Sequence, residues 1–206
     1  MKAVIHLAKA VERLPLIENL KRIFSVEIYD ANDGSEWQAD PSVQKAHPWT
    51  KTPVTQGNIG CTRSHLDLIQ AALKAGTNLM IFEDDCDFKL DTDVIKFIHD
   101  APPCDILLLG ATEYVESEDA GAYKKVGRFW GAHALILNER GLRAALKAFA
   151  ESQKQGDFLP GDWLYNEAIK LDNLVCYGPA DPFQFCRQKE GLLSYLTGTV
   201  RRYRAT

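Results

Sequence analysis

Four acidic side chains follow an apolar run in the segment 79–87, which has the sequence LMIFEDDCD. The apolar run is typical of a buried strand, and the acids begin where that strand should end. Ligands of open α/β sheets bind beside the carboxyl ends of the strands. We therefore expect Glu83, Asp84, Asp85 and Asp87 to lie at one mouth of a sheet.

Crowding of these carboxylates suggests a cation. Neighbouring carboxylates raise one another's pKa unless a positive charge compensates them. Oxygen ligands at a strand end suit Mg²⁺ or Mn²⁺, which proteins often share with the phosphates of a substrate. The cluster is consistent with a metal site and equally with a solvated acidic turn.

A second polar group, Arg63-Ser64-His65, follows two glycines, Gly57 and Gly60, at the predicted start of a helix. Glycines before a helix N-terminus let backbone N–H groups approach a phosphate closely. The spacing is not that of a P-loop. A structural histidine is the alternative interpretation of His65.

Strands and helices alternate along the whole sequence, which predicts an α/β fold in a single domain over residues 1–206. The predicted strands are 2–7, 26–29, 79–82, 105–110, 131–137 and 175–177. The predicted helices cover about 13–24, 63–75, 94–98, 139–150 and 160–171. The segments 35–56 and 111–122 lack periodicity and are predicted to be loops, which could close over a ligand.

Composition limits the classes of function. The net charge is −4, and the one basic block is Arg201-Arg202-Tyr203-Arg204, so a nucleic-acid-binding surface is not expected. That block is either solvated or a peripheral contact with an anionic membrane surface. No signal peptide or membrane-spanning run is recognised. Five widely spaced cysteines without a Cys-x-x-Cys pair favour a reducing cytoplasm.

Four short motifs, in order, resemble those of glycosyltransferase family 25, which includes lipooligosaccharide and collagen galactosyltransferase-like enzymes. They are Ile5-His6-Leu7 with Arg13 and the turn Asp30-Ala31-Asn32-Asp33-Gly34, then Gly57-x-Ile59-Gly60-Cys61-x-x-Ser64-His65, then Phe82-Glu83-Asp84-Asp85, and finally Gly131-Ala132-His133-Ala134 with Asp162-Trp163. The sequence departs from the family pattern at His6, where the family usually has Asn, and at Leu135, where an aromatic residue is common.

The resemblance implies a GT-A-like (Rossmann-like) fold with a mixed, mostly parallel sheet flanked by helices. It implies an inverting hexosyltransferase that uses a UDP-sugar, with galactose favoured and UDP-glucose or N-acetylated sugars open. The acceptor would be a saccharide, a lipopolysaccharide-type glycolipid or a glycoprotein. In the family pattern Asp85 binds Mn²⁺ or Mg²⁺ with help from Glu83, and Glu83 or Asp84 contacts the donor.

Further roles follow from the resemblance. Asp162 is the candidate catalytic base and Trp163 the candidate acceptor contact, with an N-cap role as the alternative for Asp162. His133 is a donor contact or metal ligand, or else a histidine bonded to backbone. The remaining candidate donor contacts are Arg13, Asp33, Gly57, Gly60, Arg63, Ser64 and His65. Two other classes stay open, a metal-dependent hydrolase and a non-catalytic sugar- or nucleotide-binding relative.

Overall fold

The computed structural model of the protein describes residues 1–34, 54–89 and 93–192. All but the last three residues of the predicted loop 35–56, and the whole basic block 201–204, lie outside the described residues. None of the helices in the described ranges is long and apolar enough to cross a membrane.

Within residues 1–34, 54–89 and 93–192, ten strands form two sheets. They are β1 (Lys2–His6), β2 (Glu27–Asp30), β3 (Leu79–Glu83), β4 (Cys86–Phe88), β5 (Ile106–Gly110), β6 (Glu113–Ala120), β7 (Tyr123–Trp130), β8 (Ala134–Leu137), β9 (Cys176–Pro179) and β10 (Cys186–Gln188). Eight of them form one sheet in the order β2-β1-β3-β8-β5-β9-β7-β6, and β4 pairs with β10 in a two-stranded sheet.

Most strands of the large sheet point the same way. Strand β1 is parallel to β2 and β3, and β5 is parallel to β9. Strand β8 is antiparallel to both of its neighbours, and β7 is antiparallel to β6 and β9. Only β7 and β8 therefore oppose the other six, which confirms the predicted mixed, mostly parallel sheet.

In the described part of the chain, five helices flank this sheet: α1 (Leu14–Phe24), α2 (Gln56–Ala75), α3 (Val94–His99), α4 (Glu139–Lys154) and α5 (Gly161–Asp172). A 3₁₀ turn, Val11–Arg13, precedes α1. Apolar residues of α2, α4 and α5 share one core cluster with Leu79 and Ile81 of β3, whereas α1 and α3 share another with Met80 and Phe82. Because successive strand residues point to opposite faces, this alternation shows helices covering both faces of the sheet.

The prediction of a loop at 111–122 is wrong, because β6 occupies most of that segment and forms a hairpin with β7. The two strands turn at Gly121, whose φ of +70° suits glycine. Charged pairs connect the strands, among them Lys124 to Asp119 at 2.6 Å and Arg128 to Glu116 at 2.9 Å. Strand β6 is largely exposed, so cross-strand charge replaces the apolar alternation by which strands are recognised in a sequence.

Candidate functional site

A cavity of about 220 Å³ lies at the carboxyl ends of β1, β2 and β3. Its acidic wall is formed by Glu83, Asp84 and Asp85, as the strand-end argument predicts. The opposite wall is the N-terminal half of α2, and the loop after β2 closes the side. Asp87 lies in β4 instead, where the ammonium of Lys189 donates to its carboxylate at 2.8 Å.

Arg13 supplies a buried positive charge to the acidic wall. One of its guanidinium N–H groups donates to Asp84 Oδ1, and the same nitrogen lies 3.9 Å from Asp85 Oδ2. Burial opposes the charge on Arg13, but the carboxylates of Asp84 and Asp85 together raise its pKa above the ordinary value. Arg13 therefore supplies part of the positive charge that the acidic cluster led us to expect from a metal ion.

Asp84 has two further partners. His6 Nδ1 lies 2.9 Å from Asp84 Oδ2, and the backbone N–H of Leu7 donates to the same oxygen at 3.3 Å. His6 is one of the two residues at which the sequence departs from the family pattern, and its imidazole is buried beside this carboxylate. The first strand therefore holds Asp84 in place.

Glu83 connects the cavity to two distant segments. Its backbone N–H donates to the carbonyl oxygen of His133 at 2.8 Å, and Gln188 Nε2 donates to its Oε2 at 3.0 Å. No sequence pattern indicated Gln188, which lies 105 positions from Glu83. Its position follows from the pairing of β10 with β4, two short strands that the sequence did not predict.

The chemistry of the wall fits a divalent cation at Asp85 and Glu83. Both carboxylates line the cavity, and Mg²⁺ or Mn²⁺ is commonly held by one or two carboxylates together with substrate phosphates. Within the described ranges, however, the set of three side chains whose ligand atoms converge comprises Cys61, His65 and Glu83, without Asp85.

Helix α2 begins earlier than predicted. Its N-cap is Thr55, whose Oγ1 accepts from the backbone N–H of Asn58 at 3.1 Å. Gly57 and Gly60 therefore lie within the first two turns rather than before the helix. Arg63, Ser64 and His65 lie in the third turn, away from its free N–H groups, which corrects the expectation of a first-turn anion site.

Gly60 and Ser64 instead hold the loop after β2. A β-carbon at Gly60 would overlap the carbonyl oxygen of Asn32, so only glycine permits this approach of loop and helix. Ser64 Oγ donates to Gly60 O and accepts from Asn32 N, each at 2.9 Å. The hydroxyl is thereby bonded to backbone, although Ser64 lines the cavity.

The remaining predicted donor contacts are distributed unevenly. Gly57 and Asp33 line the cavity, whereas Gly60 and Arg63 are not among its lining residues in the described part of the chain. Asp33 accepts from Lys9 Nζ at 2.6 Å, in an adjoining open cleft of about 720 Å³ beside the ends of β1 and β2. The two cavities share lining residues and therefore adjoin, and together they are called the groove.

His65 is buried between α2 and α5. Its Nδ1 lies 2.6 Å from the hydroxyl of Tyr165, which the sequence did not single out. Burial lowers the pKa of His65 to about 4, so its imidazole is neutral at physiological pH.

Asp162 lies in α5 and contacts Gly131, and it is not among the described residues that line either cavity. The backbone N–H of Gly131, at a φ of +68°, donates to Asp162 Oδ2 at 2.8 Å. Burial raises the pKa of Asp162 to about 6 despite this bond. The N-cap alternative is wrong, because Pro160 occupies the N-cap and Asp162 is the second residue of α5.

Comparison with known proteins identifies the family. The model of a protein family described as "Glycosyltransferase family 25 (LPS biosynthesis protein)" matches residues 1–125, more than half of the chain. The chain belongs to glycosyltransferase family 25. Family membership and the observed sheet confirm the predicted GT-A-like α/β class, and the protein is a glycosyltransferase.

Solved structures resemble this family 25 glycosyltransferase only distantly. The crystal structure of A197 from STIV has 12% identity and a TM-score of 0.45, with 99% of this chain and 97% of that chain covered. A glycosyltransferase involved in the glycosylation of the major capsid of PBCV-1 has 12% identity and a TM-score of 0.41, with 74% and 66% covered. A nucleoside-diphosphate-sugar pyrophosphorylase from Vibrio cholerae RC9 has 13% identity and a TM-score of 0.38, with 87% and 72% covered. No curated protein matches the chain.

Trp163 of the family 25 enzyme is a core residue. Its indole is 4% exposed and packs edge-to-face on Trp130, with ring centroids 4.9 Å apart. Little of the Trp163 ring is therefore presented to an acceptor. Trp130 is partly exposed at the end of β7, immediately before Gly131, and is the aromatic residue of this pair that a sugar could reach.

His133 is fully buried in the same family 25 enzyme. Its Nε2 lies 3.5 Å from Thr112 Oγ1, and its carbonyl oxygen accepts from Glu83 N. The contact of the imidazole is with a side-chain hydroxyl, and the bond to Glu83 uses only the backbone of His133. The donor or metal role of His133 stays a prediction.

Proposed function

We propose that this glycosyltransferase moves a hexose, with galactose favoured, from a UDP-sugar to an acceptor hydroxyl with inversion at the anomeric carbon. The acceptor is a saccharide, a lipopolysaccharide-type glycolipid or a glycoprotein. The observation that carries the proposal is the convergence, in a family 25 chain, of Glu83, Asp84 and Asp85 on one groove at the carboxyl ends of three parallel strands. Strand ends of this kind are where α/β proteins bind nucleotides.

The charge of the groove supports a metal-dependent donor site. Three acids face one buried cation, Arg13, so an incoming diphosphate meets net negative charge. A divalent cation, Mn²⁺ or Mg²⁺, held by Asp85 and Glu83 would offset that repulsion and would supply Lewis-acid stabilisation to the leaving diphosphate. Asp84 and Asp33 are the proposed contacts to the donor sugar and nucleotide, with Arg13 positioning Asp84.

Asp162 supports the proposed direct displacement. The acceptor hydroxyl oxygen forms its bond to the anomeric carbon as the bond to diphosphate breaks, and the hydroxyl proton passes to a base. With a pKa raised by burial to about 6, Asp162 is ionised at neutral pH and is a stronger base than an exposed carboxylate. The backbone N–H of Gly131 donates to Asp162 Oδ2, which holds the carboxylate in position without adding a formal charge beside it.

The cellular setting is part of the proposal. Transfer occurs in the cytoplasm, where UDP-sugars are the donors, and contact with the inner membrane surface is at most peripheral, through Arg201, Arg202 and Arg204.

A thermal-shift screen of nucleotide sugars, with and without Mn²⁺, tests the donor site. A ligand at 100 times its dissociation constant adds about 2.7 kcal/mol to the free energy of unfolding. We expect UDP-galactose to give the largest shift and to require Mn²⁺. Asp85→Asn should remove the Mn²⁺-dependent part, whereas the control Asp87→Asn, on the neighbouring strand, should retain it.

Product analysis tests the reaction. UDP release should depend on an acceptor, and nuclear magnetic resonance of the product should show an inverted anomeric configuration. Release of UDP as fast without acceptor as with it would support a hydrolase. No stabilisation by any UDP-sugar would remove the proposed donor class.

A further inference from the structure

We propose that Cys61, His65 and Glu83 form a binding site for a thiophilic divalent cation such as Zn²⁺ in the wall of the groove. This site differs in chemistry from the all-oxygen site proposed at Asp85 and Glu83, although Glu83 belongs to both. It requires no nucleotide sugar, so its test is independent of the proposed transfer reaction.

The geometry brings three different ligand types together. Cys61 and His65 are four residues apart on α2 and therefore lie on one face of the helix, while Glu83 ends β3. One ligand atom from each side chain lies within 4.8 Å of the other two. Ligand atoms around a tetrahedral zinc ion are about 3.5 Å apart, so small side-chain rotations suffice to close the site.

His65 has a buried ring nitrogen that a cation could satisfy. Its side chain is 1% exposed, and Tyr165 engages Nδ1 at 2.6 Å. Its Nε2 is buried without a hydrogen-bond partner among the described residues. A buried polar atom left unsatisfied is costly, and coordination of a cation would satisfy it. With Nε2 on the cation, Nδ1 would carry the proton and donate it to the Tyr165 hydroxyl oxygen, the outer-sphere support that metal-bound histidines usually have.

The ligand set selects the kind of cation. Thiolate and imidazole favour Zn²⁺, whereas Mg²⁺ prefers oxygen ligands. Three protein ligands leave one tetrahedral position open. Cys61 and Glu83 are partly exposed and line the cavity, so the open position faces the groove.

A titration of the purified full chain with Co²⁺, free of nucleotide, tests the site. Thiolate coordination gives Co²⁺ an intense charge-transfer absorption in the near ultraviolet, and we expect this band to saturate at one ion per chain. Stoichiometric Zn²⁺ should abolish the band, and excess Mg²⁺ should leave it.

Substitutions at two of the proposed ligands, and a control at another cysteine, separate this site from the other thiols. Cys61→Ser should eliminate the band and weaken Zn²⁺ binding at least 100-fold, and Glu83→Gln should weaken it about 10-fold. Cys104→Ser, which alters another partly exposed cysteine, should change neither. A wild-type protein without the band, or a band that survives Cys61→Ser, would overturn the proposal. Because Cys61→Ser is nearly isosteric at a partly exposed helix position, circular dichroism should show an intact fold in the variant.

Discussion

Asp84 lines the groove, whereas Asp162 is not among its lining residues in the described part of the chain, and each carboxylate has a different kind of partner. Asp84 is buried against the guanidinium of Arg13 and the imidazole of His6. Asp162 has the backbone N–H of Gly131, and burial raises its pKa to about 6. The same residue type thus has a charged arginine partner at one site and neutral backbone donors at the other.

This difference separates two chemical tasks. A carboxylate paired with an arginine keeps its negative charge and fixes the position of its neighbours, which suits binding. A carboxylate whose charge is opposed by burial gains and loses a proton near neutral pH, which suits catalysis. In our account the acidic wall at β3 therefore binds the donor, and Asp162 accepts the proton.

Removal of Arg13 should give the largest change in stability. Arg13→Met leaves Asp84 and Asp85 buried without their cation, and loss of one partner from a buried ion pair costs about 3–5 kcal/mol. Urea unfolding at pH 7 measures this loss. Arg143→Met is the control, since the Arg143–Glu139 pair is exposed and contributes at most about 0.5 kcal/mol. Equal losses in the two variants would contradict a special role for Arg13.

Neutralisation of the two acids should have effects of opposite sign. Because the pKa of Asp162 is raised on folding, its contribution to stability is full below the unfolded value of 3.8 and is lost as the pH rises through about 6. As the pH rises from 4 to 8, the free energy of unfolding of Asp162→Asn should therefore increase by about 2 kcal/mol relative to that of the wild type. Asp84→Asn should lose stability at pH 8, because it weakens the bonds to Arg13 and His6.

Urea unfolding curves of both variants between pH 4 and pH 8 measure these changes in the free energy of unfolding. A loss of stability in Asp162→Asn at pH 8 would show that the Asp162 carboxylate is compensated like that of Asp84.

Removal of a neutral hydrogen-bond partner from the acidic wall should have the smallest effect on the free energy of unfolding. Gln188→Leu removes the bond from Nε2 to Glu83, and a bond of this kind contributes about 1 kcal/mol. The control Gln153→Leu removes an exposed amide bond to the carbonyl of Asp157 and should change the free energy of unfolding less. A Gln188 effect as large as that of Arg13 would mean that Glu83, rather than Asp84, organises the wall.

The sequence predicted the parts of the fold that depend on apolar periodicity. The buried strands β3, β5 and β8 were placed to within a few residues, and Asn138 caps α4 as expected, with its Oδ1 accepting from Gly141 N. The exposed β6–β7 hairpin was missed because its residues pair by charge. The strands β4 and β10 were missed because three residues carry too short a pattern.

The sequence predicted those parts of the candidate site whose residues are neighbours along the chain. The acids at the end of β3 could be placed at a strand end from the sequence alone. The Arg13–Asp84 ion pair, the Gln188–Glu83 bond and the Gly131–Asp162 bond connect residues 31 to 105 positions apart. Those contacts are set by sheet order and by burial, which a linear motif does not encode.

The pH dependence of transfer tests the central claim, that Asp162 accepts the proton from the acceptor. In the wild type, kcat/KM should rise as the pH rises through about 6 and then reach a plateau. Asp162→Asn should lose that rise and about 10²- to 10⁴-fold in rate. The control Asp157→Asn, on the loop before α5, should keep both. A rate and pH profile in Asp162→Asn equal to those of the wild type would contradict the account.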